Sequence, residues 1–148
     1  MNSVYNLSWI FLLIAMAGDL IVSFILSYFY KGYSNLKMSI SALGNPKSPV
    51  RLPFNIWMLI EGLLFLIALP AIYNYFNPVS PELTITLLIF IAVFAIGACI
   101  FTCFFSVNES KDITTLASTV IANEGLWQRL NLIFMYLPLC VVCLKAIE

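Results

Sequence analysis

Apolar residues in this 148-residue chain fall into four long runs that short polar stretches separate. The runs lie at about 9–30, 54–75, 83–106 and 125–144. A hydrocarbon core about 30 Å thick needs about 20 apolar residues in a helix, and all four runs are long enough. A backbone in lipid must satisfy its hydrogen bonds within a helix or a closed barrel, and these runs are too long and continuous for barrel strands. The pattern predicts an all-α membrane protein, an antiparallel four-helix transmembrane bundle that forms one domain over 1–148.

The polar stretches between the runs carry the residues that end and begin helices. Residues 32–53 form a first loop with several glycines and prolines. Residues 77–81 form a tight turn, and the last of them, Pro81, suits the first turn of a helix. Residues 108–124 are polar, with a pattern that allows a short surface helix over 113–121. These stretches set the ends of the four predicted spans.

Composition agrees with this fold and excludes several functions. Only 9% of the residues are charged and 62% are hydrophobic, whereas about 25% of a soluble domain is charged. Seven basic and seven acidic residues leave no net charge, so nucleic acid is not an expected partner. The chain has no histidine, which removes the commonest general base and the commonest transition-metal ligand. We therefore expect no metal, no cofactor and no catalytic residue.

The ends of the spans predict an orientation in the cell membrane. The first run has no Lys or Arg before it and is too long for a signal peptide, so we interpret it as a retained span. Basic residues concentrate in the first and third loops, and the opposite side has Lys145 alone. The positive-inside rule then places both loops in the cytoplasm and both termini outside. Aromatic residues are predicted at the two interfaces, with Trp9, Tyr73 and Tyr75 at one and Tyr28, Tyr30, Trp57 and Trp127 at the other.

Asp19 is the residue that carries most information about function. It lies near the middle of the first run, where an ionised carboxylate costs a few kcal/mol, so its side chain should face other helices. The small and polar residues around it recur every fourth position and form one stripe, Ala15, Asp19, Ser23 and Ser27. The functional interpretation is a proton relay or an anchor for a cationic group. The structural interpretation is a protonated carboxyl that hydrogen-bonds to a neighbouring helix.

Glu61 is a second acidic residue, about two turns inside the second span. Arg129 enters the fourth span at a similar depth from the same side. We expect the two to form an ion pair that clamps the second helix to the fourth. The alternative is that Glu61 and Asp19 form a two-carboxylate site along one inner pathway.

The cysteines and the prolines within the spans predict packing more than chemistry. Cys99 and Cys103 lie near one face of the membrane, whereas Cys140 and Cys143 lie near the other, too distant for a disulfide between the pairs. With Ala95, the first pair forms a small-residue stripe that favours close helix packing. Proline residues late in the second and fourth spans, Pro70 and Pro138, are expected to kink them.

The first loop carries the most distinctive motif, Lys37-Met38-Ser39-Ile40-Ser41-Ala42-Leu43-Gly44-Asn45-Pro46-Lys47-Ser48-Pro49. It resembles the Ser-x-Leu-Gly and proline motif after the first helix of a multi-pass bacterial membrane family, catalogued as domain of unknown function 998. The likeness continues from Gly97 to Phe105, in the acidic Glu109 and Asp112, and in Gly125-Leu126-Trp127-Gln128-Arg129. The resemblance implies a shortened member with four spans. Members often carry a histidine after the third helix, and this chain has none over 119–123, so no role of that histidine carries over.

The polar groups of the first loop suggest contact with lipid headgroups. The serine hydroxyls and basic side chains that would bind an anionic headgroup at the mouth of the bundle are Ser39, Ser41, Lys47 and Arg51. The alternative is that the basic residues only enforce the topology.

The leading functional hypothesis is a non-enzymatic protein that binds a membrane lipid or small amphiphile within its helix bundle. The inner groups that would set its specificity are Asp19, Ser23, Glu61 and Arg129. A second hypothesis is a small proton-coupled exporter of cationic compounds that works as a homodimer. With four spans and an acidic residue in the first span, the chain resembles the small multidrug antiporters in outline. A third is an accessory subunit of another membrane protein. An enzyme acting on lipids has least support, because only carboxylates and hydroxyls are available to it.

Overall fold

Four long helices make up the computed structural model, which describes residues 2–104 and 124–147. Helix α1 runs over Asn2–Tyr28 and α2 over Arg51–Phe76. Helix α3 runs over Pro81–Phe104, and α4 over Glu124–Ile147. A single 3₁₀ helix, Ile40–Gly44, lies in the first loop. The described residues contain no strand, and the predicted all-α bundle of four helices is confirmed.

Each helix is long and apolar enough to cross a membrane, and the chain is a multi-pass membrane protein. The observed limits lie within a few residues of the predicted ones, except that α1 begins earlier. The α-helical structure continues through both internal prolines, Pro70 in α2 and Pro138 in α4. The predictions for the third loop fall outside the described residues. They concern Lys111, the acidic Glu109 and Asp112, and the short helix over 113–121.

Helices α1 and α2 form the central pair of the bundle. Helix α3 packs on α2, and α4 packs on α1. The most apolar stretches of α1 and α2 are 33% and 39% buried within the protein, against 17% for α3 and 11% for α4. The outer helices therefore present most of their apolar surface to lipid. Within the described residues, α3 and α4 share no extended packed face, so a gap remains between them.

The third helix contains a wide π-helical segment, Phe94–Ile100. Gly62 of α2 allows this segment to approach closely, because a Cβ atom there would lie 2.9 Å from the Ala95 carbonyl oxygen and 3.1 Å from Cys99 Cβ. Ala95 and Cys99 are fully buried at this contact. The predicted close packing of the small-residue stripe is therefore confirmed. All four cysteines are free thiols, and no disulfide joins the two pairs.

The interfacial aromatic residues divide into two groups. Tyr28 and Trp127 are largely exposed, as residues at a membrane interface should be. Trp9 is fully buried and packs edge-to-face against Tyr75 with ring centroids 5.5 Å apart. The ring of Trp9 thus packs inside the bundle, and its predicted depth at a membrane interface stays a prediction.

Candidate functional site

Asp19 faces the interior of the bundle, as predicted. Its side chain is 6% exposed, and the Tyr136 hydroxyl of α4 donates a hydrogen bond to its Oδ2 atom over 2.7 Å. The other residues of the predicted stripe are also buried, namely Ala15, Ser23 and Ser27. This arrangement keeps the carboxyl away from lipid, where an unpaired polar group is costly.

A cavity of about 230 Å³ lies beside Asp19, and we call it the Asp19 cavity. All four helices and the 3₁₀ helix of the first loop contribute to its lining. Most of the wall is apolar and comes from Ile40, Phe54, Met58, Phe94, Ala98 and Leu132. Polar groups besides Asp19 come from Ser41, Thr102 and Gln128.

The Asp19 cavity extends from the first-loop end of the bundle into its apolar interior. Ser41 lies in the first loop, and Gln128 lies in the first turns of α4. Asp19 lies nine residues before the end of α1 at Tyr28, which corresponds to a depth of about 14 Å along the helix. Ala98 is exposed, so the cavity also reaches the gap between α3 and α4. An amphiphile could thus enter from the membrane and place its polar end near a carboxyl.

Glu61 lies close to this site but without a hydrogen-bond partner. Its side chain is fully buried, and both carboxyl oxygens lack a hydrogen bond within the described part of the chain. The indole N–H of Trp57, one turn earlier on α2, lies near the carboxyl but does not reach hydrogen-bonding geometry. Asp19 is near enough to Glu61 for the two acidic groups to affect each other. The two predicted carboxyl groups therefore do lie in one region.

Arg129 does not pair with Glu61, and the predicted ion pair is wrong. Its Nη1 atom donates to the Asn35 carbonyl oxygen at 2.6 Å and to the Gly125 carbonyl oxygen at 2.9 Å. Its Nη2 atom donates to the Tyr33 hydroxyl at 2.9 Å and to Asn35 Oδ1 at 2.8 Å. The physical reason is that the first loop folds back and offers uncharged acceptors next to the start of α4. Arg129 acts on Asp19 only through longer-range electrostatics.

Arg129 is the centre of a contact that holds the first loop against α4, and we call this contact the loop clasp. The Asn35 side chain links it to α1, because its Nδ2 atom donates to Ser27 Oγ over 2.8 Å. The Tyr33 hydroxyl donates onward to the Ser39 carbonyl oxygen at 2.8 Å. Burial raises the pKa of the Tyr33 phenol, although the hydrogen bond from Arg129 opposes that shift. The hydroxyl therefore remains a proton donor at neutral pH.

Three further residues of α4 complete the loop clasp. The Leu126 N–H donates to the Leu36 carbonyl oxygen at 3.0 Å. Gln128 Oε1 accepts from the Ile40 N–H at 2.8 Å. Gly125 fits directly beneath the loop, where a Cβ atom would meet the carbonyl oxygens of two loop residues, Asn35 and Met38. Four of the five residues in the motif 125–129 thus bind the first loop.

The four predicted headgroup-binding residues separate into two pairs. Ser39 and Ser41 are hydrogen-bonded to each other through their hydroxyls at 3.0 Å, and Ser41 also lines the Asp19 cavity. Lys47 in the first loop and Arg51 at the start of α2 are both exposed. Binding of an anionic headgroup by these four residues remains a prediction.

Ser23 has a structural role that the sequence did not indicate. Its hydroxyl donates to the Leu20 carbonyl oxygen of its own helix at 3.0 Å, a common way for serine to satisfy its hydroxyl in a helix. Of the four inner residues predicted to set specificity, Asp19 alone lines the cavity among the described residues. Glu61 is buried outside this lining, and Arg129 belongs to the loop clasp.

Tyr136 and Gln128 are the site residues that the sequence analysis missed. A tyrosine in the middle of an apolar span needs a partner for its hydroxyl, and Asp19 needs a donor, so their pairing had a detectable signal. Gln128 had none, because its partner is a backbone N–H in a distant loop.

No family model matches this chain, and neither a curated protein nor a solved structure matches it. The resemblance to the bacterial membrane family therefore stays a prediction.

Proposed function

We propose that this protein binds a lipid chain or small amphiphile in the Asp19 cavity. The observation that carries the proposal is an apolar cavity between helices that ends at a buried carboxyl. Its volume of about 230 Å³ is slightly below the usual range for ligand pockets, about 300–1,000 Å³. The size therefore favours a small amphiphile or one chain of a lipid over a complete phospholipid.

The chemistry of the lining supports an amphiphilic ligand. Apolar side chains such as Ile40, Met58 and Leu132 would bury a hydrocarbon chain, which stabilises binding by about 0.8 kcal/mol per CH₂ relative to water. The polar groups of Asp19, inside the cavity, and of Ser41 and Gln128, at its first-loop end, would orient the polar head of the ligand. A few polar groups in an apolar pocket are typical of small-molecule sites.

Mass spectrometry of the gently purified protein tests this proposal. We expect one class of amphiphile to be enriched over the bulk membrane lipids. Ala98→Leu places a larger side chain in the cavity and should lower that enrichment about tenfold, a change equivalent to about 1.4 kcal/mol. Asp19→Asn should lower it or change the class of molecule. Ala17→Leu is the matched control, because Ala17 is exposed on α1 and lies outside the cavity lining. If only bulk lipid copurifies, and neither Ala98→Leu nor Asp19→Asn changes its composition, the proposal is ruled out.

A second candidate function is proton-coupled export of cationic compounds by a homodimer. The observation that favours it is a pair of buried carboxyl groups, Asp19 and Glu61, that interact electrostatically. We expect proton release when a lipophilic cation is added to the purified protein, and Asp19→Asn should abolish it. Glu82→Gln is a suitable control because Glu82 is exposed at the start of α3. An absence of proton release from the wild type would eliminate this candidate.

We propose that the first and third loops lie in the cytoplasm and both termini lie outside. The support is the excess of basic residues in those loops. A membrane-impermeant thiol reagent added outside intact cells should label Val79→Cys and leave Lys47→Cys unlabelled. The opposite labelling pattern would reverse the proposed orientation.

A further inference from the structure

The only acidic or basic side chain among the described residues that line the Asp19 cavity is Asp19 itself. Its neighbours in the lining are uncharged, and no basic side chain is among them. A headgroup that reaches the bottom of this cavity therefore meets an acidic group and no positive charge to balance it.

The hydrogen bonding of Asp19 leaves one carboxyl oxygen available. Within the described residues, its hydrogen bond is the one that Tyr136 donates to Oδ2. The side chain is more than nine-tenths buried and lines the cavity. Tyr136 thus orients the carboxyl, and Oδ1 has no donor from the part of the chain that the structure describes. A ligand with N–H groups would supply that missing donor.

Glu61 is a second buried acidic group near this site, although it does not line the cavity. It is fully buried, and its two oxygens have no hydrogen bond in the described part of the chain. An unpaired carboxylate in an apolar region is costly and is stabilised by a proton or by a cationic partner. The basic residue in this region, Arg129, is not free to serve, because both terminal nitrogens are bound in the loop clasp.

Two aromatic rings in the wall suit the same kind of head. Phe54 and Phe94 both line the cavity with Asp19. The faces of aromatic rings attract cations, and this attraction is stronger where water is excluded. An anionic head would gain nothing from either ring and would be repelled by the carboxyl groups.

We infer that the ligand of the Asp19 cavity is a single-chain amphiphile with a positively charged amine head, which Asp19 binds. This inference rests on the proposed function and names the chemical class of its ligand. Asp19 is the residue that determines specificity. Tyr136 positions its carboxyl, and the apolar wall accepts the chain.

The experiment compares three probes of equal chain length: n-hexylamine, n-hexanol and hexanoate. The protein is reconstituted in nanodiscs of zwitterionic lipid, and binding is measured by titration calorimetry with empty nanodiscs as the reference. We expect n-hexylamine to bind at least about tenfold more tightly than n-hexanol, and hexanoate to bind most weakly. Asp19→Asn should reduce the affinity for n-hexylamine to that for n-hexanol. Glu82→Gln should preserve the wild-type preference.

The wild-type comparison alone decides the inference, even if Asp19→Asn does not fold. Equal affinities for n-hexylamine and n-hexanol, both weakened by Ala98→Leu, would overturn the inference and leave the proposed cavity binding intact. A preference for the amine that persists in folded Asp19→Asn would also overturn it. If none of the probes binds the wild type, the inference fails. The proposed function fails with it only if mass spectrometry also finds bulk lipid alone.

Discussion

Arg129→Met will lower the free energy of unfolding by about 3 kcal/mol, because it removes a charged donor from several loop acceptors at once. Those acceptors include Asn35 O, Asn35 Oδ1 and the Tyr33 hydroxyl. Methionine is similar in length to the apolar stem of arginine but donates no hydrogen bond. These loop acceptors therefore lose their donor. The change can be measured by denaturant unfolding in mild detergent and by proteolysis of the first loop.

Two variants make this result specific to the loop clasp. Arg51→Met removes an exposed guanidinium from the start of α2 and should change stability by no more than about 0.5 kcal/mol. Arg129→Lys keeps the charge but loses the planar fork that reaches two acceptors together, so an intermediate loss is expected. If Arg129→Met were as stable as Arg51→Met, the guanidinium would not hold the first loop.

Gly125→Ala should destabilise the protein by about 2 kcal/mol through overpacking. The added Cβ would meet the Met38 carbonyl oxygen and lie 2.6 Å from the Asn35 carbonyl oxygen. Both contacts are with backbone, which cannot move aside as the end of a flexible side chain can. The loop must therefore shift away from α4. Thermal unfolding in detergent and amide hydrogen exchange over 33–41 would measure the effect.

Gly97→Ala is the matched control for this substitution. A Cβ at Gly97 would have no atom within 4 Å, and alanine is favoured over glycine in helices by about 1 kcal/mol. We therefore expect Gly97→Ala to be neutral or stabilising. Equal stability of the two alanine variants would show that Gly125 does not require close contact with the loop.

The loop clasp connects stability with the proposed function. Ile40 and Gln128 are hydrogen-bonded to each other in the clasp, and both line the Asp19 cavity. Displacement of the first loop therefore removes part of the cavity wall. Arg129→Met and Gly125→Ala should both reduce the amount of amphiphile that copurifies with the protein, although neither residue lines the cavity.

The motif over 125–129 shows how a sequence pattern can carry a structural role that is not visible from the pattern itself. In sequence it resembles a family motif, whereas in the structure four of its residues contact the first loop. Gly125 supplies space, and Gln128 and Arg129 supply hydrogen bonds. None of these roles follows from local helix propensity, because the first-loop partners lie about ninety residues earlier in the chain.

The sequence by itself determined the four spans, the antiparallel bundle and the inward direction of Asp19. Each depends on a local property: the length of an apolar run, or the cost of placing a carboxyl against lipid. The tertiary structure decided which groups meet. It paired Asp19 with Tyr136, left Glu61 without a hydrogen bond and directed Arg129 to the first loop. A side chain that avoids lipid can choose among several inner partners, and only the packing of distant segments selects one.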